Sequence, residues 1–155
     1  EHTKHSWDSK EKAKHESLLK DVVVSDGPLL TLADNERYCS FAHFCDANGG
    51  IWNIVECAST DSEVELAKEI VAHCPSGRLV LWDKRAKKIF EPDFAPQVGL
   101  LEGVGVKSKG PIWLRGGIQV FGANGDSYEI RNRVTLCRCG ESENKPFCDG
   151  SHTYL

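Results

Sequence analysis

Near its C-terminal end the chain carries a segment that constrains everything around it: LCRCGESENKPFCDGSH, residues 136–152. Three cysteines, Cys137, Cys139 and Cys148, and one histidine, His152, fall within sixteen residues. Thiolates and imidazole are the soft and borderline donors that hold zinc or iron–sulfur clusters. The residues between them suit a tight loop, since Gly140 and Gly150 reach backbone angles closed to other residues and Pro146 fixes one. Asp149, Gly150 and Ser151 read as a turn leading into a short helix whose backbone N–H groups face the site. The segment is too polar for a core strand, and a Cys-x-Cys disulfide is strained and leaves His152 without a role. Zinc stays open on this chemistry: three cysteines and a histidine make an ordinary structural zinc site, although zinc knuckles usually place two residues between their cysteines rather than one.

The rest of the composition narrows the class. With 155 residues, 40% hydrophobic and 27% charged, the chain can bury a core and is not disordered as a whole. A net charge of −4 argues against a general nucleic-acid binder. No apolar run approaches the roughly 20 residues of a membrane span. Seven cysteines is an odd count, and residues 1–20 lack the apolar stretch of a secretory signal. Reduced thiols in a cytoplasmic setting, holding a metal or cluster, fit better than a disulfide framework.

The pattern along the chain predicts an α+β fold, rich in short antiparallel strands, with one clear helix. Residues 1–20 mix Lys, Glu and His and read as a charged tail. His2, His5 and His15 in that stretch have no partner ligands nearby. Residues 21–105 form an N-terminal α+β lobe and residues 106–155 the lobe that carries the cysteine–histidine loop. Val22–Val24 and Leu29–Leu32 read as strands around the Asp26-Gly27-Pro28 turn, and Ile51–Val55 as another strand. The helix spans Asp61–His73: Thr60 and Glu63 make a capping box, and Val64, Ala67, Ile70, Val71 and Cys74 share a face before Pro75 and Gly77 stop it. Arg78–Trp82 and Lys88–Glu91 read as a strand pair, and residues 111–121 and 127–136 as a hairpin about Asn124-Gly125. Asp26-Gly-Pro-Leu-Leu30 and Lys109-Gly-Pro-Ile-Trp113 echo one another; two related β-units or a shared Gly-Pro turn explain this equally well.

Residues 137–152 resemble the CDGSH iron–sulfur family, the mitoNEET-like proteins. The shared pattern is Cys-x-Cys, a Ser or Thr after two more residues, then Pro-x-Cys-Asp-Gly-Ser-His, met here by Cys137, Cys139, Ser142, Pro146, Cys148, Asp149, Gly150, Ser151 and His152. The resemblance covers about a tenth of the chain and implies a [2Fe-2S] cluster held by Cys137, Cys139, Cys148 and His152, in a small β-rich fold. A site with three thiolates and a neutral imidazole carries one negative charge fewer than a four-thiolate site, so it accepts an electron more readily; one histidine places the potential between plant-type ferredoxins and Rieske centres. His152, close to the chain end, is expected to be the exposed ligand, and the cluster to be lost faster as pH falls through about 5 to 7. Arg133, Arg138 and Lys145 are expected near the cluster, where positive charge raises the potential and favours acidic partners.

A second candidate ligand set lies in the N-terminal half: Cys39, Cys45, Cys57 and Cys74. The spacing Cys39-x5-Cys45 with the downstream Cys74-Pro75 resembles the divergent mono-cluster ferredoxin-like domain found beside some prokaryotic CDGSH modules. Compact ferredoxin spacing is absent, Phe41 stands where that domain often has histidine, and Cys57 or His43 has to complete the set. Packing of these thiols in the core is the competing reading, with this half a scaffold over the cluster lobe. No nucleophile–base pair or phosphate loop stands out, so the chain reads as a non-enzymatic electron carrier or cluster donor, monomeric or homodimeric, serving a redox partner or an apo iron–sulfur acceptor protein. The rivals are a redox-sensing regulatory module and a zinc-bearing structural module.

Overall fold

The computed structural model describes residues 22–102 and 109–155. The expected tail, residues 1–20, and the expected lobe boundary at residues 105 and 106 lie outside the described residues. The fold is α+β, built on two antiparallel sheets. The first holds β1 (Val23–Asp26), β2 (Leu30–Asp34), β3 (Leu79–Asp83) and β4 (Lys88–Phe90), side by side in that order. Strict alternation makes β2 and β3 the centre of this sheet. Leu30, Leu32, Leu79 and Leu81 are fully buried, while Thr31, Ala33, Val80 and Trp82 between them are not.

Between β2 and β3 the chain forms α1 (Ile51–Cys57) and α2 (Asp61–Ala72), which cover the buried face of the sheet. Ile51, Ile54 and Val55 of α1, with Val64, Ala67, Ile70 and Val71 of α2, complete the core. Each large apolar side chain so buried contributes roughly 1.5–3 kcal/mol. The expected strand at Ile51–Val55 is therefore a helix. Its β-branched residues favour strands, but Ile51, Ile54 and Val55 recur at helical spacing, and burial of that face outweighs their local preference. The helix expected at Asp61–His73 is α2, with its capping box intact: Thr60 Oγ1 accepts from Glu63 N at 3.3 Å, and Glu63 Oε2 accepts from Thr60 N at 2.9 Å.

The second sheet has the order β5 (Gln97–Leu100), β6 (Ile112–Arg115) and β7 (Arg133–Leu136). The two long strands expected at 111–121 and 127–136 are paired in this sheet only at their outer ends. Gly116 and Gly117, both at positive φ, end β6, and only a single bridge, Phe121 to Ser127, closes the Asn124-Gly125 turn. A small core of Leu114, Tyr128, Val134 and Phe147 fills this lobe. The echoed Gly-Pro pairs have a common physical cause. Each leads towards a strand where backbone crowds backbone, and a Cβ on Gly27 or Gly110 would lie 1.8 Å from Val55 O or 2.2 Å from Leu101 O.

One side chain ties the two sheets together. Arg133 of β7, 1% exposed, donates Nε to Cys74 O at 2.7 Å and Nη2 to Val71 O at 2.9 Å, and pairs with Glu91. Val71 and Cys74 lie at the C-terminal end of α2, where carbonyls lack helical partners and the helix dipole is negative. Trp113 Nε1 donates to Pro75 O at 2.9 Å and Arg131 Nη2 to Gly77 O at 2.7 Å, so the second sheet grips the segment that follows α2. Replacing Arg133 with alanine removes its hydrogen bonds to Glu91, Val71 O and Cys74 O and empties a buried site, and is expected to cost about 3 kcal/mol in urea unfolding followed by tryptophan fluorescence.

The capping box sets a pH dependence. Hydrogen bonds from the Ser59 and Thr60 N–H groups and the Thr60 hydroxyl hold the Glu63 carboxyl down at about 2, from an ordinary 4.5. A carboxyl depressed in the folded state stabilises the fold above its unfolded value, and that contribution is lost as pH falls from about 4.5 towards 2. Glu63→Gln should lower stability at neutral pH and flatten the acid limb of a stability–pH curve across that window.

Candidate metal centre

The C-terminal site begins where β7 ends. Cys137 follows Leu136, and a short segment returns antiparallel beside it: Cys137 N donates to Pro146 O and Cys148 N to Thr135 O, both at 2.8 Å, with a bridge between Leu136 and Phe147. This pairing sets Cys137 and Cys148 diagonally across the two segments on one face, 1% and 3% exposed. The connecting loop is held by its own polar groups. Ser142 Oγ donates to Phe147 O at 2.6 Å and accepts from Asn144 N at 3.1 Å. Asp149 closes the loop by accepting from Glu143 N at 2.9 Å, Ser151 N at 3.0 Å and Ser151 Oγ at 2.7 Å. Burial opposes ionisation of Asp149, but these hydrogen bonds prevail and lower its pKa. Asp149 thus organises the turn, as expected, and the turn opens into a single 3-10 turn, Ser151–Tyr154.

The four predicted ligands fall into two pairs. Cys137 Sγ lies 3.7 Å from Cys139 Sγ, and Cys148 Sγ lies 3.5 Å from His152 Nδ1. Two sulfurs sharing a tetrahedral metal at 2.3 Å sit about 3.8 Å apart, and a sulfur and an imidazole nitrogen about 3.5 Å apart. Each pair therefore matches one metal. Among the described residues no group of three His, Cys, Asp or Glu side chains could hold a single ion.

The local electrostatics match such a load. Gly140 N, Glu141 N and Gly150 N donate to the sulfurs of Cys137, Cys139 and Cys148 at 3.3, 3.4 and 3.4 Å. Backbone N–H groups of this kind stabilise thiolates and tune clusters. Burial works against them. It pushes the Cys148 thiol up to about 12, raises Cys139, and lowers the His152 imidazole. A bound cation offsets that cost, because thiolate ligation exchanges a proton for the metal's positive charge.

Several features of the site come from the N-terminal lobe. His152, expected to be exposed, is 7% exposed, and the space beside it is walled by Ser40, Phe41, Leu101, Gly110 and Pro111. Phe41 lies against Gly150 so closely that a Cβ there would come within 1.8 Å of the ring, and Gly150 sits at φ +87°. Tyr38 packs edge-on against Phe147 at 5.1 Å, and Asn144 Nδ2 donates to Arg37 O at 2.8 Å. Nothing in the sequence near residue 41 signals this role, because the contact spans more than a hundred residues of chain. The expected basic surroundings are met in part, since Arg138 acts electrostatically on the His152 imidazole. Arg133 is spent on the end of α2, and Arg138 donates Nε to Gly110 O at 2.6 Å and pairs with Glu102.

In the N-terminal half Cys39, Cys45 and Cys74 line one cavity together with His43, Ser76 and Arg78. Cys57 does not join them. It is exposed at the end of α1, its thiol directed to Asn53 Oδ1 at 3.8 Å. Burial and the neighbouring Asp46 push the Cys45 thiol up to about 11. Arg78 is fixed on the cavity wall by Asp34, with Nε at 2.5 Å and Nη2 at 2.8 Å, and Trp52 Nε1 donates to the same carboxylate at 3.0 Å. All seven cysteines are free thiols.

Comparison with known families bears on both sites. Residues 109–153 match the family described as the iron-binding zinc finger of CDGSH type. The C-terminal lobe is a CDGSH module. Residues 25–84 match the family described as a divergent 4Fe-4S mono-cluster. Neither the curated proteins nor the solved structures yield a match to the chain. The CDGSH module and its ferredoxin-like neighbour make the chain an iron–sulfur protein, and no helix among the described residues is long and apolar enough to cross a membrane. The close contact at Gly150 gives a test of the CDGSH loop. Gly150→Ala introduces both a clash with Phe41 and a left-handed alanine worth about 1–3 kcal/mol of strain. Iron retained per chain should fall sharply, and Phe41→Ala in the same chain should recover part of it.

Proposed function

We propose that the CDGSH module is a [2Fe-2S] electron carrier, with Cys137 and Cys139 on one iron and Cys148 and His152 on the other. The observation that carries this reading is the split of four donors into two pairs, each at the spacing of a shared tetrahedral metal. A bound cluster supplies reversible one-electron chemistry; the chain holds it, sets its charge and limits its contact with water. Three thiolates and one neutral imidazole leave the centre less negative than four thiolates do, which favours reduction by moderate protein donors.

Burial of Cys137, Cys148 and His152 supports retention of the cluster, and so a carrier in preference to a donor. A donor has to release its metal, and here release means opening the Phe41 contact on Gly150 and the Asp149 staple. The role is non-enzymatic, in a reducing cytoplasmic compartment, with a redox protein as partner.

Anaerobic purification, a visible spectrum, and iron and sulfide analysis test the proposal. The expected protein is coloured, with two iron atoms and two sulfides assigned to this module by their loss in Cys148→Ser. His152→Cys should retain the cluster and lower its midpoint potential. A colourless, zinc-loaded protein overturns the reading, and rapid complete transfer of iron to an apo-ferredoxin replaces the carrier with a donor.

A further inference from the structure

Residues 25–84 match a four-iron family, and a four-iron cluster is ordinarily held by four cysteines, one per iron. This stretch contains four: Cys39, Cys45, Cys57 and Cys74. The fold gathers only three. Cys39 and Cys45 come from the loop before α1, and Cys74 from the turn after α2, onto one cavity. Cys57 is at the other end of α1 from that loop, exposed and turned to Asn53. Bringing it to the cavity would require unwinding a helix whose Ile51, Ile54 and Val55 are core residues.

None of the other cavity groups is a thiolate. Arg78 is a cation with donors alone, held bidentate by Asp34. Ser76 Oγ accepts from Arg78 N at 3.3 Å and lies 3.6 Å from Cys74 Sγ. His43 holds its Nδ1 against Asp46 Oδ2 at 2.9 Å, with the side chain 68% exposed. Three sulfurs and a fixed guanidinium are what the buried part of the wall offers.

We propose that the N-terminal centre is a three-iron cluster, [3Fe-4S], held by Cys39, Cys45 and Cys74, with no fourth cysteine for a fourth iron and with His43 turned to solvent on Asp46. This rests on the iron–sulfur reading of residues 25–84 and is independent of the ligand set in the CDGSH module. The guanidinium of Arg78 supplies positive charge next to a site of three thiolates, where a fourth iron would otherwise have contributed it.

The test uses the full chain, purified anaerobically and left in its oxidised state. A three-iron core has an odd number of d electrons when oxidised and is paramagnetic, whereas oxidised two-iron and four-iron cores are spin-paired. With both centres loaded, the expected result is five iron atoms and six sulfides per chain, with an electron paramagnetic resonance signal of one spin per chain. Cys57→Ser and His43→Ala should leave all three quantities unchanged. Cys74→Ser should abolish the signal and leave two iron atoms and two sulfides. Six iron atoms with no signal, or loss of the centre in Cys57→Ser or His43→Ala, overturns the three-iron assignment. Two iron atoms, two sulfides and no signal in the unmodified chain overturns the second centre altogether while leaving the CDGSH reading in place.

Discussion

The Arg133 guanidinium, buried at the C-terminal end of α2, is the interaction on which the arrangement of the two sheets depends. Removing a charge from water is expensive, and here the guanidinium is offset by the carbonyls of Val71 and Cys74, which also accept from Cys74 N and Gly77 N in the turn, and by Glu91. The contact also has a consequence for chemistry. Arg133 lies four residues before Cys137 on the same strand, and one of its acceptors is the carbonyl of Cys74. A single side chain therefore fixes the chain leading to one cysteine group against the chain leaving the other. Trp113 and Arg131, gripping Pro75 and Gly77, extend the same contact along the turn.

The CDGSH loop shows how a buried site is built around donors that favour a cation. Ser142 and Asp149 bind the loop to itself, so the thiols are positioned before any metal arrives. Three backbone N–H groups address the sulfurs, yet burial raises the Cys148 and Cys139 thiols. Hydrogen bonds from neutral amides do not fully compensate a thiolate removed from water; a cation does. The N-terminal lobe then closes the site with Phe41, Tyr38 and Arg37, contributing cover without a ligand.

Legibility followed the range of the interactions. The helix at α2 was readable because its stop signals and capping box lie within a few residues of one another. The β3–β4 pair was readable for the same reason, with Leu81 opposite Phe90 and Asp83 opposite Lys88 across a short turn. Ile51–Val55 misled because β-branched residues favour strands, whereas its helical spacing matters only once a sheet lies beneath it. The hairpin about Asn124-Gly125 was correctly placed but overextended, since Gly116 and Gly117 end the pairing that alternation alone would continue. Charges were the least legible: Arg133 is adjacent to the cluster loop in sequence and is committed to a helix end in space.

The sequence by itself determined the donor chemistry of the C-terminal site, because sixteen residues with two glycines and a proline leave a loop few ways to keep Cys137, Cys139, Cys148 and His152 apart. Chain connectivity makes those neighbours, and connectivity is written in the primary structure. Only the tertiary structure decided that His152 is covered, that Phe41 does the covering, and that Cys57 is separated from Cys39, Cys45 and Cys74. Those outcomes depend on which faces of α1 and β7 are buried against distant partners, and burial is a property of the packed chain rather than of any short stretch of it.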